Sequence, residues 1–323
     1  MTRRALVVMA ALLLVGGGCT SDDAPSAGSS SSSTSGRSST TEDWVAADDD
    51  DALFTVDCTF SHRAADDPIV LPGEPGASHS HEFFGSAATD AASTGASLRG
   101  TATTCEDTED TAAYWVPTLS VDGAPVDPTF VRAYYRAAPG ADVRDVQPPP
   151  LGLAMIAGDP NRTTAGEEPE PADPAAAPTT HHHGGATTTV PGADPTAAAG
   201  WGCGLRPRRL HVEPPTDCTD PSPLTLRLRF PDCWDGDHLD SEDHRSHVAP
   251  SVDGTCPATH PVLLTQLQLS IVWPVTGADA AGASLSSGPV AGAHGDFLNG
   301  WDPEALAGHV DLCIRAKANC TIG

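Results

Sequence analysis

The chain is predicted to form a mainly β domain, a disulfide-stapled and jelly-roll-like β-sandwich with long loops and one C-terminal helix. Two segments, Leu224 to Phe230 and Leu267 to Trp273, alternate apolar and polar residues as half-buried strands do. Eight cysteines follow Cys19, and an even number of cysteines is typical of a disulfide framework. The 31 glycines and 30 prolines fit many short strands joined by turns.

Further strands are predicted before these two segments. Thr129 to Arg136 is rich in aromatic and β-branched residues, which favour strands. The Asp122-Gly123 pair predicts a turn after a strand from Trp115 to Val121. Regular structure is expected to begin near Phe54.

One helix is predicted near the C-terminus. Asp302 is a typical N-cap, and Pro303 suits the first helical position. Leu306, Val310 and Cys313 fall on one face of that helix.

The cysteines restrict the fold without determining their own pairing. Cys233 with Cys256, and Cys203 with Cys218, are simply neighbours in sequence. No CxxC pair occurs, which argues against a zinc ribbon and a thioredoxin-type site. The disulfide candidates are Cys58, Cys105, Cys203, Cys218, Cys233, Cys256, Cys313 and Cys320.

The overall charge excludes two classes of partner. The chain of 323 residues has a formal net charge of −26. Nucleic-acid binding needs a basic face that neutralises phosphates, so it is not expected. Electrostatic docking on anionic lipid is not expected either.

Residues 1–19 are predicted to be a lipoprotein-type signal peptide. Arg3 and Arg4 precede a short apolar run, and small residues lead to Cys19. The run is too short to anchor the chain in a bilayer. Cys19 is therefore the expected lipidation site, the membrane is expected to be reached only through this lipid anchor, and the protein is expected to be extracytoplasmic. The alternative is ordinary secretion.

The rest of the chain is predicted to be a linker followed by one domain. Residues 20–51 are rich in Ser, Gly and acidic residues and predict a disordered linker. Residues 52–323 predict a single domain with a low-complexity, disordered insertion at 160–199. The insertion contains His181–His183, whose metal affinity is more often adventitious than functional, and their role stays open.

One stretch concentrates polar chemistry. Pro231 to Pro261 contains two cysteines, one tryptophan, four histidines and many carboxylates, but almost no aliphatic residues. If a disulfide joins its two cysteines, the loop would hold His and Asp side chains at fixed positions, as a metal, acid/base or ligand site requires. The alternative is a surface loop in which Asp and Ser cap turns.

Several strings together carry a family resemblance. They are DPIVLPGEPGASHSHEFFG, YWVPTL, PPPLGLAMIAGDP, FPDCWDGDHLDSEDHRSHVA, CPATHP and HGDFLNGWD, in that order. In this order they resemble the secreted family DUF1996 of bacteria and fungi, over residues 54–315 apart from the insertion. The resemblance implies secretion and a shared His-rich architecture, and it implies no particular reaction.

A metal site is predicted around His79 and His81. Residues two apart on a strand point to the same face, so the two imidazoles would project together. With a third ligand they would bind zinc or copper. The candidates for that ligand are His247, His260 and His294. Alternatively, the preceding Pro/Gly-rich residues make this a loop, in which both histidines bond the backbone.

Acid/base and binding residues are predicted nearby. His294 and Asp296, together with Asp243, are the catalytic candidates, and either carboxylate could instead orient an imidazole. Trp234 and Trp301 are candidate platforms for sugar rings. The alternative for Trp301 is packing under the C-terminal helix.

These observations predict a cell-surface protein with a His/Asp-rich polar cleft that acts on extracellular polysaccharide, with or without a metal ion. One alternative is a glycan-binding module without catalytic activity. The other is a structural cell-envelope role, in which the His/Asp network satisfies buried polar groups.

Overall fold

The computed structural model describes residues 52–162, 198–207 and 209–322. Several sequence predictions lie outside these residues: the signal peptide with Cys19, the linker, and most of the insertion with His181–His183. They stay predictions.

The described residues form a mainly β domain with little helix. The strands are β1 Leu53–Ala64, β2 His81–Gly85, β3 Ala113–Pro117, β4 Leu119–Val121, β5 Ala124–Pro125, β6 Phe130–Arg136, β7 Ala154–Gly158, β8 Ala199–Cys203, β9 Leu224–Arg229, β10 Cys233–Trp234, β11 Val248–Ala249, β12 Val262–Leu263, β13 Gln266–Val272, β14 Ala283–Leu285, β15 His294–Leu298 and β16 Asn319–Ile322. The helices are α1 Gly95–Leu98 and α2 Pro303–His309, with a π-helical turn at Val310–Arg315 and 3₁₀ turns at Gly277–Gly282 and Val290–Gly292.

One large sheet forms both layers of the domain. Its strand order is β7-β15-β3-β2-β1-β6-β13-β9-β8, and β16 also pairs with β1. The long strand β1 pairs with β6 up to Thr59 and with β2 from Phe60, and its register with β2 shifts between Phe60 and His62. Because β1 is shared, the sheet folds over into two layers and is nearly closed.

The main core lies between the two layers. The layer of β6, β13 and β9 contributes Val131, Ile271 and Leu226, which are fully buried. The layer of β2, β3 and β15 contributes Phe84 and Phe297. This sandwich, with one short C-terminal helix, confirms the predicted fold class.

The strand predictions hold, with two differences. The single strand predicted from Trp115 to Val121 is divided into β3 and β4, which belong to different sheets. The segments predicted around β6, β9 and β13 are strands, and Asp122 and Gly123 adopt positive φ angles in the turn between β4 and β5. The prediction of a half-buried strand was wrong for the later of the two alternating segments, because all residues of β13 are buried. The Gln268 side chain accepts a hydrogen bond from Arg227 (2.6 Å), which compensates its burial.

The C-terminal helix begins as predicted. The Asp302 side chain accepts hydrogen bonds from the backbone amides of Glu304 and Ala305, and Pro303 occupies the first turn. In the described part of the chain, no helix has the length and apolar character needed to cross a membrane.

All eight candidate cysteines are paired. The disulfides join Cys58 to Cys105, Cys203 to Cys218, Cys233 to Cys256, and Cys313 to Cys320. Two of them are the sequence neighbours singled out above. Four disulfides are consistent with an extracellular or surface protein.

Phe54 provides a test of the core. Its ring is fully buried, stacks on Tyr135 at 4.8 Å and meets Trp301 edge-on at 6.4 Å. Phe54→Ala should lower the free energy of unfolding by about 3–5 kcal/mol, because it removes these contacts and leaves a cavity. Urea unfolding with the disulfides intact measures this loss. Leu312 is 71% exposed, so the control Leu312→Ala should change stability by less than about 0.5 kcal/mol. Equal losses in both variants would contradict the placement of Phe54 in the core.

Candidate metal centre

Strand β15 turns two polar side chains away from the main core. A Cβ atom at Gly295 would lie 2.4 Å from Leu228 Cδ1 and 2.9 Å from Val116 Cγ1, so the layers approach there without room for a side chain. Because side chains alternate along a strand, His294 and Asp296 project from the opposite, outer face. Both are nevertheless buried.

Strand β2 presents His81 on the same outer face. Phe84 packs in the main core, whereas Phe83 packs in a second apolar cluster. His81 is two residues from Phe83, so the two side chains share the outer face. This outer cluster contains Ile69, Phe83, Leu98, Ala113, Trp115, Ala154, Ile156 and Leu298. His81 and His294 therefore lie at the edge of this outer apolar cluster.

Three imidazoles meet at this edge. His79, from the segment before β2, lies with its ring centroid 4.2 Å from that of His81 and 5.5 Å from that of His294. One ring nitrogen from each histidine can be chosen so that all three lie within 4.8 Å of one another. His81 and His294 are fully buried, and His79 is partly exposed. The three residues, called the tri-His centre below, match the three protein ligands of many catalytic zinc sites.

Backbone carbonyls orient two of the rings. His81 Nδ1 lies 2.9 Å from the Asp66 carbonyl oxygen, and His294 Nδ1 lies 2.8 Å from that of Gly292. A carbonyl only accepts, so each Nδ1 carries the proton and donates it. In a neutral imidazole the Nε2 atom then has the lone pair that a metal ion requires.

Two carboxyl groups and one guanidinium lie beside the centre. Burial raises the pKa of Asp296 well above its usual range; Asp67 raises it further, and the nearby Arg245 opposes this. Burial also raises the pKa of Asp67, to about 6, against hydrogen bonds from the Val70 and Ile69 amides. This acidic pair favours the protonated state more than an exposed pair would.

Two predicted ligands lie elsewhere and have both ring nitrogens engaged. His247 Nε2 lies 2.7 Å from the Ala154 carbonyl oxygen, and its Nδ1 lies 2.9 Å from Ser241 Oγ. His260 contacts the Ser246 carbonyl oxygen and Thr259 Oγ1, each at 2.9 Å. Neither belongs to the group of ligand atoms that gathers at the tri-His centre. These bonds hold the polar loop in place, so the prediction of His247 and His260 as ligands is corrected.

Asp243 organises that loop. Burial alone would raise the pKa of Asp243, but hydrogen bonds from the Ser246 and Arg245 amides and the Ser241 hydroxyl outweigh it and lower the pKa. The carboxylate is thus committed to its own turn. Its place is a structural one, as the surface-loop alternative expected, and not among the acid/base groups at the centre.

The two tryptophans proposed as platforms differ in exposure. Trp301 is fully buried, and its Nε1 donates to Tyr135 Oη at 3.0 Å, so it offers no face to a ligand. That placement corrects the platform prediction for Trp301. Trp234 is partly exposed and donates from Nε1 to the His238 carbonyl oxygen at 2.6 Å.

A second cluster of potential ligand atoms in the described residues is Cys58, Cys105 and Asp110. Its two cysteines form a disulfide and so supply no thiolate. Of the two clusters in the described residues, the tri-His centre is therefore the one whose side chains are of the type that binds a metal ion.

Sequence reasoning missed three residues beside the centre: Asp67, Trp115 and Arg245. Asp67 and Arg245 stand in loops, where no periodicity tells which way a side chain points. Trp115 could have been found from the alternation of its strand. Its neighbours Tyr114 and Val116 point into the main core, so Trp115 points to the outer face.

The family model described as "Domain of unknown function (DUF1996)" matches residues 67–301, more than half of the chain. The chain belongs to this family. The match confirms the resemblance carried by the sequence strings. Neither a curated protein nor a solved structure matches the DUF1996 chain. The function is therefore argued below from the residues of the site.

Asp67 provides a pH test of this region. Its folded pKa of about 6 lies above the usual value for an unfolded chain, so the folded state binds the proton more tightly. The resulting stabilisation is present below about pH 4 and is lost as the pH rises through 6; the loss is at most about 3 kcal/mol. Asp67→Asn keeps the acceptor oxygen for the Ile69 and Val70 amides and removes the titration.

The Asp67→Asn variant should therefore gain stability relative to the parent protein as the pH rises from about 4 to about 8. Urea unfolding at both pH values measures the difference. A stability difference that does not change with pH would show that Asp67 titrates normally in the folded state.

Proposed function

We propose that this domain is an extracytoplasmic metal protein that binds zinc or copper through His79, His81 and His294 and acts on extracellular polysaccharide. The observation that carries the proposal is the convergence of three ring nitrogens within 4.8 Å. Zinc and copper both accept imidazole ligands, and three protein ligands leave a coordination position for water or substrate.

The scaffold around the ligands supports this reading. His81 and His294 stand on neighbouring parts of one sheet, and their Nδ1 atoms are fixed by backbone carbonyls. Such outer contacts hold metal-binding histidines in orientation and set their tautomer. A bound zinc ion would supply Lewis acidity toward a substrate oxygen or a water molecule, whereas copper would add redox chemistry.

The predicted location outside the cell membrane is the basis for proposing polysaccharide as the substrate. Residues 1–19 are proposed to direct export, and Cys19 is proposed to be lipidated, so the domain would be anchored outside the cell membrane; secretion without an anchor is the alternative. The polymers that such a domain meets include cell-envelope and extracellular polysaccharides. The buried position of Trp301 removes one platform expected of a purely glycan-binding module.

Metal analysis tests the proposal. The exported protein, with His181–His183 changed to Ala so that they cannot contribute, should carry about one equivalent of zinc or copper. His79→Ala and His294→Ala should each weaken metal binding by more than the 10–100-fold that loss of an outer contact costs, because each removes a ligand. Elemental analysis after dialysis measures the bound metal.

His260→Ala is the matched control. It removes a histidine of the same domain whose nitrogens bond Ser246 and Thr259, so the metal content should not change. A parent protein that binds no stoichiometric zinc or copper would overturn the proposal. In that case, loss of stability without loss of any ligand in His79→Ala would support the structural role instead.

A further inference from the structure

A row of polar side chains crosses the outer face next to the tri-His centre. Asp296 of β15 pairs with Trp115 of β3 on one side and with Ile156 of β7 on the other. Residues that pair across a sheet lie on the same face. Arg245, from the polar loop between Pro231 and Pro261, reaches this row, and its Nη1 atom lies 3.5 Å from the Ile156 carbonyl oxygen. The side chains of Trp115, Asp296 and Arg245 therefore lie together.

These three residues carry buried polar atoms that no described group satisfies. Trp115 Nε1, both carboxyl oxygens of Asp296 and Arg245 Nη2 are buried and have no hydrogen-bond partner among the described residues. Asp296 is only 1% exposed and Trp115 is fully buried. Buried polar groups in folded proteins are normally hydrogen-bonded, because leaving one unbonded costs free energy. Four such atoms in one row therefore need partners that the described residues do not supply.

The atoms specify the chemistry of the ligand. Trp115 Nε1 and Arg245 Nη2 are donors, whereas the Asp296 carboxyl group accepts, and it also donates when it is protonated. A purely anionic group would satisfy the donors but would offer no donor to the acceptor oxygen of Asp296. A hydroxyl group donates and accepts at once, so two adjacent hydroxyls can bond both carboxyl oxygens while they accept from the tryptophan and the arginine.

We propose that Trp115, Asp296 and Arg245 form a subsite that binds two adjacent hydroxyl groups of a sugar residue. This inference rests on the proposed function and names the groups that would hold its substrate. Asp296 and His294 are two residues apart on β15, so the subsite lies about 7 Å along the strand from the tri-His centre. A sugar held there would lie next to the tri-His centre. Arg245 and His79 are both partly exposed, so the subsite and the centre each include a residue at the surface.

Calorimetric titration with three soluble polysaccharides tests the subsite. Dextran, mannan and xylan are each used intact and after periodate cleavage of their adjacent hydroxyls followed by borohydride reduction. The full exported protein loaded with its metal should bind at least one intact polymer, and cleavage should weaken that binding at least tenfold. Trp115→Phe, which keeps an aromatic ring but removes the donor, and Arg245→Gln should each weaken it at least tenfold as well.

Arg144→Gln is the control, because this arginine is exposed and pairs with Asp142 on the surface. Metal content and melting temperature are measured for every variant, so that a folding defect is recognised. Weakened binding with metal and melting temperature retained supports the subsite. Unchanged binding in both variants, or no binding of any polymer by the metal-loaded protein, overturns the subsite and leaves the tri-His centre standing. A metal-free parent protein overturns the proposed function itself.

Discussion

At Gly295 the two layers of the domain approach each other without space for a side chain, because Leu228 of β9 fills the position that a Cβ atom would need. The contact fixes which face of β15 belongs to the main core. Alternation along the strand then sends His294 and Asp296 to the outer face. The site exists on that face because the inner face is committed to packing.

The main core between the layers also constrains polar groups. Tyr114 donates to Asp110 at 2.8 Å, its hydroxyl lies 2.7 Å from that of Tyr135, and Trp301 donates to Tyr135. Each member of this buried chain has a partner, so the chain is a structural network. Burial raises the pKa of Asp110 well above its usual range, although the hydrogen bonds from Tyr114 and the Ala112 amide oppose this effect. Trp301 belongs to this network, which is why it is not a surface platform.

The outer face is organised differently. Its apolar cluster is small, and the groups around it include imidazoles, carboxyl groups and a guanidinium that comes from the polar loop. That loop is held by its own side chains, with Asp243 closing a turn and His247 bonded to the Ala154 carbonyl of β7. The disulfide between Cys233 and Cys256 closes the same stretch. Residues that look like ligands in the sequence therefore serve to position Arg245 over the sheet.

The sequence by itself determined the strands β6, β9 and β13, the start of the C-terminal helix and the disulfide class, because these follow from local periodicity, capping and residue type. It also contained HGD, in which the glycine separates two side chains on one face. Only the tertiary structure decided that His294 joins His79 and His81 and that His247 and His260 do not. Strand partners far apart in the sequence make that choice, and the ring nitrogen that a loop histidine engages depends on which backbone carbonyl folds against it. Asp67 and Arg245 could not be predicted from the sequence for a related reason, because loop residues have no periodicity that assigns their side chains to a face.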